Sequence, residues 1–168
     1  LIFILLQVLV LAMSVSFPLQ GYGIFSITFS TLHTLLAVVF IVRFFSDLNQ
    51  TSVNHSISSW FVKISLGFFL LSSAGPFVLG FIMANGLGQS NWYYFAVYYY
   101  LHFQYNGFFL FGIFGLFFKL LEERQVVVQR PEALRVRYVM AIATLPAYLL
   151  SVLWADPGWI FNFVGFCA

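Results

Sequence analysis

The sequence predicts an all-α fold, a polytopic transmembrane helical bundle of five spans plus the start of a sixth, with its N-terminal end cytoplasmic. Three observations carry this prediction. Of 168 residues, 62% are hydrophobic and 7% charged, where an ordinary soluble domain has roughly a quarter charged, and the mean hydropathy is +0.97. The apolar residues gather into stretches of about 20, the length that crosses a hydrocarbon core of about 30 Å. All 7 Lys and Arg residues lie in or beside alternate loops, and cytoplasmic loops are where positive charge collects.

The first span is Leu1 to Phe17, closed by the turn residues Pro18, Gly21 and Gly23. The second, Ile24 to Phe45, ends among Arg43 and Asp47, and a polar loop rich in Asn, Ser and Thr runs from Ser46 to Ser59. The third runs from Trp60 to Ala84. Its Pro76 cannot donate to the Ser72 carbonyl, which predicts a kink at Ser72-Ser73-Ala74-Gly75-Pro76. The fourth, Trp92 to Leu121, is the longest. A second charged loop, Glu122 to Arg137, reads as a solvated connector or as a docking site for a partner or anionic lipid headgroups. The fifth span, Tyr138 to Ala155, contains Pro146, and after Asp156-Pro157-Gly158 a sixth begins at Trp159.

Arg43 and Lys63 flank the first charged loop; Lys119, Arg124, Arg130, Arg135 and Arg137 flank or occupy the second. With both loops cytoplasmic, the sequons at Asn49 and Asn54 are accidental. A multi-pass protein of a bacterial inner membrane is the expected setting, with the lipid bilayer and other membrane subunits as partners. Residues 1–168 form a single membrane-embedded domain without internal repeat, and a chain that opens and stops in apolar sequence reads as processed or partial.

Several chemistries are excluded. The one cysteine, Cys167, cannot form a disulfide within the chain. No carboxylate lies mid-span to serve a proton relay or a Ser-His-Asp triad, and no zinc motif, phosphate loop or dinucleotide fingerprint occurs. A net charge of +2 divided between two loops does not bind nucleic acid. No catalytic residue is assigned.

The candidate site residues are His33 and His102, metal-binding side chains that are costly in hydrocarbon. His33 lies ten residues into the second span and His102 ten residues beyond Trp92 in the fourth. Both spans run inward, so each imidazole sits about 15 Å below the outer interface. Equal depth would let the two face one shared cofactor or metal. Ser26, Ser30 and Ala37 surround His33 with small residues, whereas Tyr98 and Asn106 flank His102 one turn away and could orient its ring. Gly107 leaves a flat spot that a planar macrocycle could use. The alternative for each histidine is a hydrogen bond across helices; His55, in the polar loop, is simply solvated.

The segment Ser30-Thr31-Leu32-His33-Thr34-Leu35-Leu36-Ala37 resembles the helix of haem-copper oxidase subunit I that supplies an axial histidine to the low-spin haem. Tyr99-Tyr100-Leu101-His102-Phe103-Gln104-Tyr105-Asn106-Gly107 resembles the helix of the same superfamily that carries a copper-ligating histidine followed by a Gly and aromatic run. The family's His-His pair and its remaining haem ligands have no counterpart here, so the resemblance implies only His33 and His102 as metal-contacting positions. The leading expectation is a b-type haem held between these two histidines in a respiratory, electron-transfer protein. Two alternatives remain: a non-catalytic subunit or scaffold packing on partner helices, and a small-solute transporter or channel using the Ser72 to Pro76 kink with Gln104 and Asn106.

Overall fold

In the computed structural model, which describes residues 1–126 and 128–167, every regular element is helical. Five helical segments are long and apolar enough to cross a membrane: Ile2–Gln20, Ile24–Asn49, Ile57–Ala84, Asn91–Glu123 and Arg130–Ala155. The protein is a multi-pass helical membrane protein. A sixth, short helix follows at Trp159–Cys167.

Helix α1 (Ile2–Gln20) runs through Pro18 and stops at Gly21, whose φ of 59° is left-handed backbone that glycine adopts without a Cβ clash. Its end therefore lies beyond the expected Phe17. Helix α2 (Ile24–Asn49) packs antiparallel on α1. Ser56 caps α3 (Ile57–Ser72), its hydroxyl accepting from the Ser59 N–H at 3.1 Å. At Ser73 the span is interrupted, and α4 (Ala74–Ala84) continues it. The interruption falls where Pro76 leaves the Ser72 carbonyl without its helical donor. The Tyr99 hydroxyl donates to the adjacent Leu71 carbonyl at 3.1 Å, as membrane proteins pair backbone groups at a broken helix.

The longest span comprises α5 (Asn91–His102), a π-helical stretch Phe103–Phe109, and α6 (Leu110–Glu123). It lies antiparallel against α3 and α4, and the two together hold the core. Phe61, Phe68, Phe103 and Phe111 are buried between them, with Phe61 stacked on Phe118 at 4.9 Å and Phe68 on Phe103 at 5.9 Å. Many of the 23 Phe residues are thus packed on one another or exposed at the helix surfaces.

Serines spaced by seven line the same seam. Ser58 bonds Glu122 through its hydroxyl at 2.6 Å and its N–H at 3.1 Å; Ser65 donates to the Phe108 carbonyl at 2.7 Å; Ser72 Oγ lies 2.7 Å from Gln104 Oε1. Seven residues are close to two helical turns, so the three hydroxyls share one face. The Ser65 bond falls inside the π stretch, where the carbonyl ladder changes register and side-chain donors are useful.

Helix α7 (Arg130–Ala147) begins eight residues before the expected Tyr138, with Pro131 in its first turn and Glu132 beside its N-terminus. A hydropathy reading misses this start because its first turns are charged. A 3-10 segment, Tyr148–Ala155, completes the span, and α8 (Trp159–Cys167) folds back against it. At the opposite end from the charged loops, Trp154 packs edge-on against Tyr94 at 5.6 Å and Tyr98 at 6.1 Å, an arrangement suited to a membrane interface.

Candidate functional site: an intramembrane cleft beside His33

His102 is 6% exposed and committed to protein partners. Its Nε2 lies 2.8 Å from the Thr144 carbonyl of α7, which can only accept, so Nε2 carries the proton. Nδ1 then accepts from Asn106 Nδ2 at 3.2 Å. The reason for the first bond is local: α7 tightens into 3-10 geometry here, and the Tyr148 N–H turns to the Pro146 carbonyl instead of Thr144. Phe103 and Tyr148 enclose the ring edge-on at 5.1 and 6.1 Å. With both nitrogens occupied, the imidazole has no lone pair left for a metal. It ties the fourth span to the fifth.

His33 has a different environment. Its ring meets Phe69 edge-on at 6.4 Å, and among the described residues no side chain or carbonyl hydrogen-bonds either nitrogen. The imidazole faces a cleft of about 1080 Å³ between the α1–α2 pair and the block formed by α3, α4, α5 and the π stretch. Such a volume is near the upper end of small-molecule sites, roughly 300–1,000 Å³. Most of the wall is apolar, including Val10, Phe17, Ile41, Leu79 and Phe108; the polar groups are few, chiefly Gln7, Ser30, His33, Thr34, Tyr100 and Gln104. Thr34 Oγ1 already donates to the Ser30 carbonyl at 3.0 Å.

Tyr100 and Gln104 face the cleft, and His102 stands about 200° around the helix from each of them at 100° per residue. It therefore points away from the cleft, toward α7. The two expected site residues are thus not brought together: His33 faces the cleft and His102 the opposite side of the long span. A b-type haem ligated by both does not fit these residues. Nor is Gly107 an open platform for a macrocycle. A Cβ there would stand 2.5 Å from Phe68 Cγ, so the missing side chain is the space the Phe68 ring occupies. Of the two residues expected to orient His102, Asn106 bonds it and Tyr98 packs on Trp154. Among the described residues no three His, Cys, Asp or Glu side chains cluster as a metal site.

At the mouth of the cleft, outside the spans, Tyr22 has its hydroxyl pKa pushed up by burial, with the phenols of Tyr93 and Tyr100 adding to the effect. The phenol therefore stays protonated at ordinary pH. The cleft residues contributed by Tyr100, Phe69 and Gln7 escaped the sequence reading, since no spacing rule links three separate helices.

Comparison of the chain with protein families, with curated proteins and with solved structures returned no match.

Proposed function

We propose that the protein is an integral membrane binding protein whose cleft takes an amphiphile from the bilayer. The apolar body would lie against α1 and α4, and an oxygen-bearing head would hydrogen-bond to His33 and Gln104. The single observation carrying this reading is an imidazole that has no hydrogen-bond partner among the described residues and lines a large, mostly apolar cleft. A polar group in such surroundings is stabilised by a hydrogen-bonding ligand. Native mass spectrometry of the detergent-purified protein should retain a lipid-soluble adduct. In His33→Ala the adduct should fall by on the order of tenfold, the loss of roughly one buried hydrogen bond, and it should persist in His55→Ala. Equal retention in wild type and His33→Ala would remove the basis of the proposal.

A second reading, favoured by the same unpartnered ring, is a b-type haem bound through His33 alone. Reduced protein would then show a Soret band and the broad visible band of a haem with one imidazole ligand, lost in His33→Ala and kept in His102→Ala. An electron-transfer role for the chain depends on that result, whereas a colourless protein with a bound amphiphile supports the first reading.

We further infer that the charged end of the bundle is cytoplasmic. The ends of α2 and α6, the starts of α3 and α7 and the residue after α6, Arg124, carry all 7 Lys and Arg residues. An impermeant thiol reagent applied from outside should modify a cysteine at Ser90 and spare one at Gln125. The reverse pattern would invert the threading and open the two sequons to glycosylation.

A further inference from the structure

The starts of α3 and α7 bring two arginines onto one indole ring. The Arg137 guanidinium carbon lies 4.6 Å from the Trp60 ring centroid and 4.2 Å from that of Tyr138, and the Arg130 guanidinium carbon lies 4.7 Å from Trp60. Arg137 is 8% exposed, and its Nε is fully enclosed without a hydrogen-bond partner. Among the described residues neither arginine has an ion pair; the one ion pair there is Lys119 with Glu123, 3.5 Å. The nearby acid of the seam, Glu122, is held by Ser58. Arg130 spends one donor on the His55 carbonyl at 3.3 Å.

Ring faces offset part of the charge of a guanidinium, but they accept none of its five N–H donors in good geometry. A buried cation in that condition is costly unless an anion with several acceptor oxygens completes it. The position narrows the anion. Trp60 opens a membrane span, Arg137 sits just ahead of the apolar part of the next one, and this end of the bundle carries the clustered basic residues. Basic pockets between transmembrane helices at this level hold phospholipid headgroups.

We propose that Arg137, Arg130 and Trp60 form a site for a phosphate-bearing anion, supplied by the headgroup of a net-negative membrane phospholipid. The site is separate from the His33 cleft and does not depend on what that cleft binds. The guanidinium fork of Arg137 receives two phosphate oxygens, Arg130 adds a second cation, and Trp60 holds both side chains in place.

The test is native mass spectrometry of the full chain in non-ionic detergent, titrated separately with phosphatidylglycerol, phosphatidylcholine and inorganic phosphate. Phosphatidylglycerol should bind on the order of tenfold more tightly than phosphatidylcholine. Arg137→Gln should lose about that factor, the scale of one charge-assisted contact, and Arg137→Lys should recover it only in part, because an ammonium lacks the fork. Arg130→Gln, at an exposed position, reads the same site if Arg137→Gln fails to fold; Arg135→Gln should change nothing. Binding of inorganic phosphate with the same Arg130 and Arg137 dependence, and no lipid preference, would leave the anion site standing and reassign its source. No preference between the lipids and no phosphate binding, or full binding in both Arg130→Gln and Arg137→Gln, would overturn the proposal and favour a partner protein's carboxylate.

Discussion

Gly75→Ala is expected to destabilise the bundle by about 1–3 kcal/mol, the usual cost of overpacking a filled interior. An added Cβ would stand 2.7 Å from Tyr100 Cβ and 3.2 Å from Tyr100 Cα, with the Ala96 carbonyl at 3.4 Å. Backbone atoms cannot swing aside, so α4 and α5 would have to separate. Alanine gains about 1 kcal/mol of helix propensity over glycine, which reduces the loss without reversing it. Gly67 and Gly80 supply the control, since a Cβ at either meets nothing within 4 Å. There the propensity gain acts alone, and alanine should stabilise slightly. Reversible unfolding in mixed micelles, followed by far-ultraviolet circular dichroism, measures all three. Equal stability of Gly75→Ala and Gly67→Ala would mean that α4 and α5 do not approach this closely.

His102→Ala is expected to cost about 2–4 kcal/mol. The substitution strands the buried Thr144 carbonyl, at about 1–3 kcal/mol for a buried group left unpaired, takes a partner from the exposed Asn106 amide, and opens a void beside Phe103 and Tyr148. The two losses overlap, because water can enter the space. His33→Ala removes a ring with no protein hydrogen bond and should leave stability within about 0.5 kcal/mol, like other changes away from packed contacts. The same two variants exchange roles in ligand binding: His33→Ala loses the cleft ligand, and His102→Ala keeps it once folded. A pair that behaved alike in both assays would contradict the separate environments described for the two rings.

The long apolar helices were legible because hydrophobic length and charge placement are one-dimensional signals. Seven basic residues marked the loops, and Pro76 marked the break at Ser73. The relation between His33 and His102 was not legible by the same means. Depth along a helix follows from counting residues, but the face a residue occupies changes by about 100° at each step. Two residues at similar depth can therefore point to different neighbours, as these do. The π stretch adds to the difficulty, since Phe103–Phe109 has no proline or residue pattern that announces it. One signal lay in view and went unread: Ser58, Ser65 and Ser72 at intervals of seven. Their spacing marks the face of α3 that meets the long span, and with it the direction in which the bundle closes. The start of α7 was obscured for the opposite reason, because its first two turns carry Arg130, Glu132, Arg135 and Arg137 and resemble a loop by hydropathy.

The π stretch lets the longest helix carry an extra residue and keep its two halves in phase. Where bonds run from residue i to i+5, each residue turns the chain less than the 100° of an α-helix, so the extra length is taken up without advancing the helix in proportion. Deleting one residue between Phe103 and Phe109 with reversion to the α pattern would leave α5 and α6 close to their present faces. Tyr100 would stay in the cleft wall and His102 beside Thr144, and the loss would be local to the deleted side chain and the Ser65 bond to the Phe108 carbonyl. Sequence comparisons across this segment thus need a gap of one residue as an allowed state, because chains with and without the extra residue can present the same faces to the same neighbours.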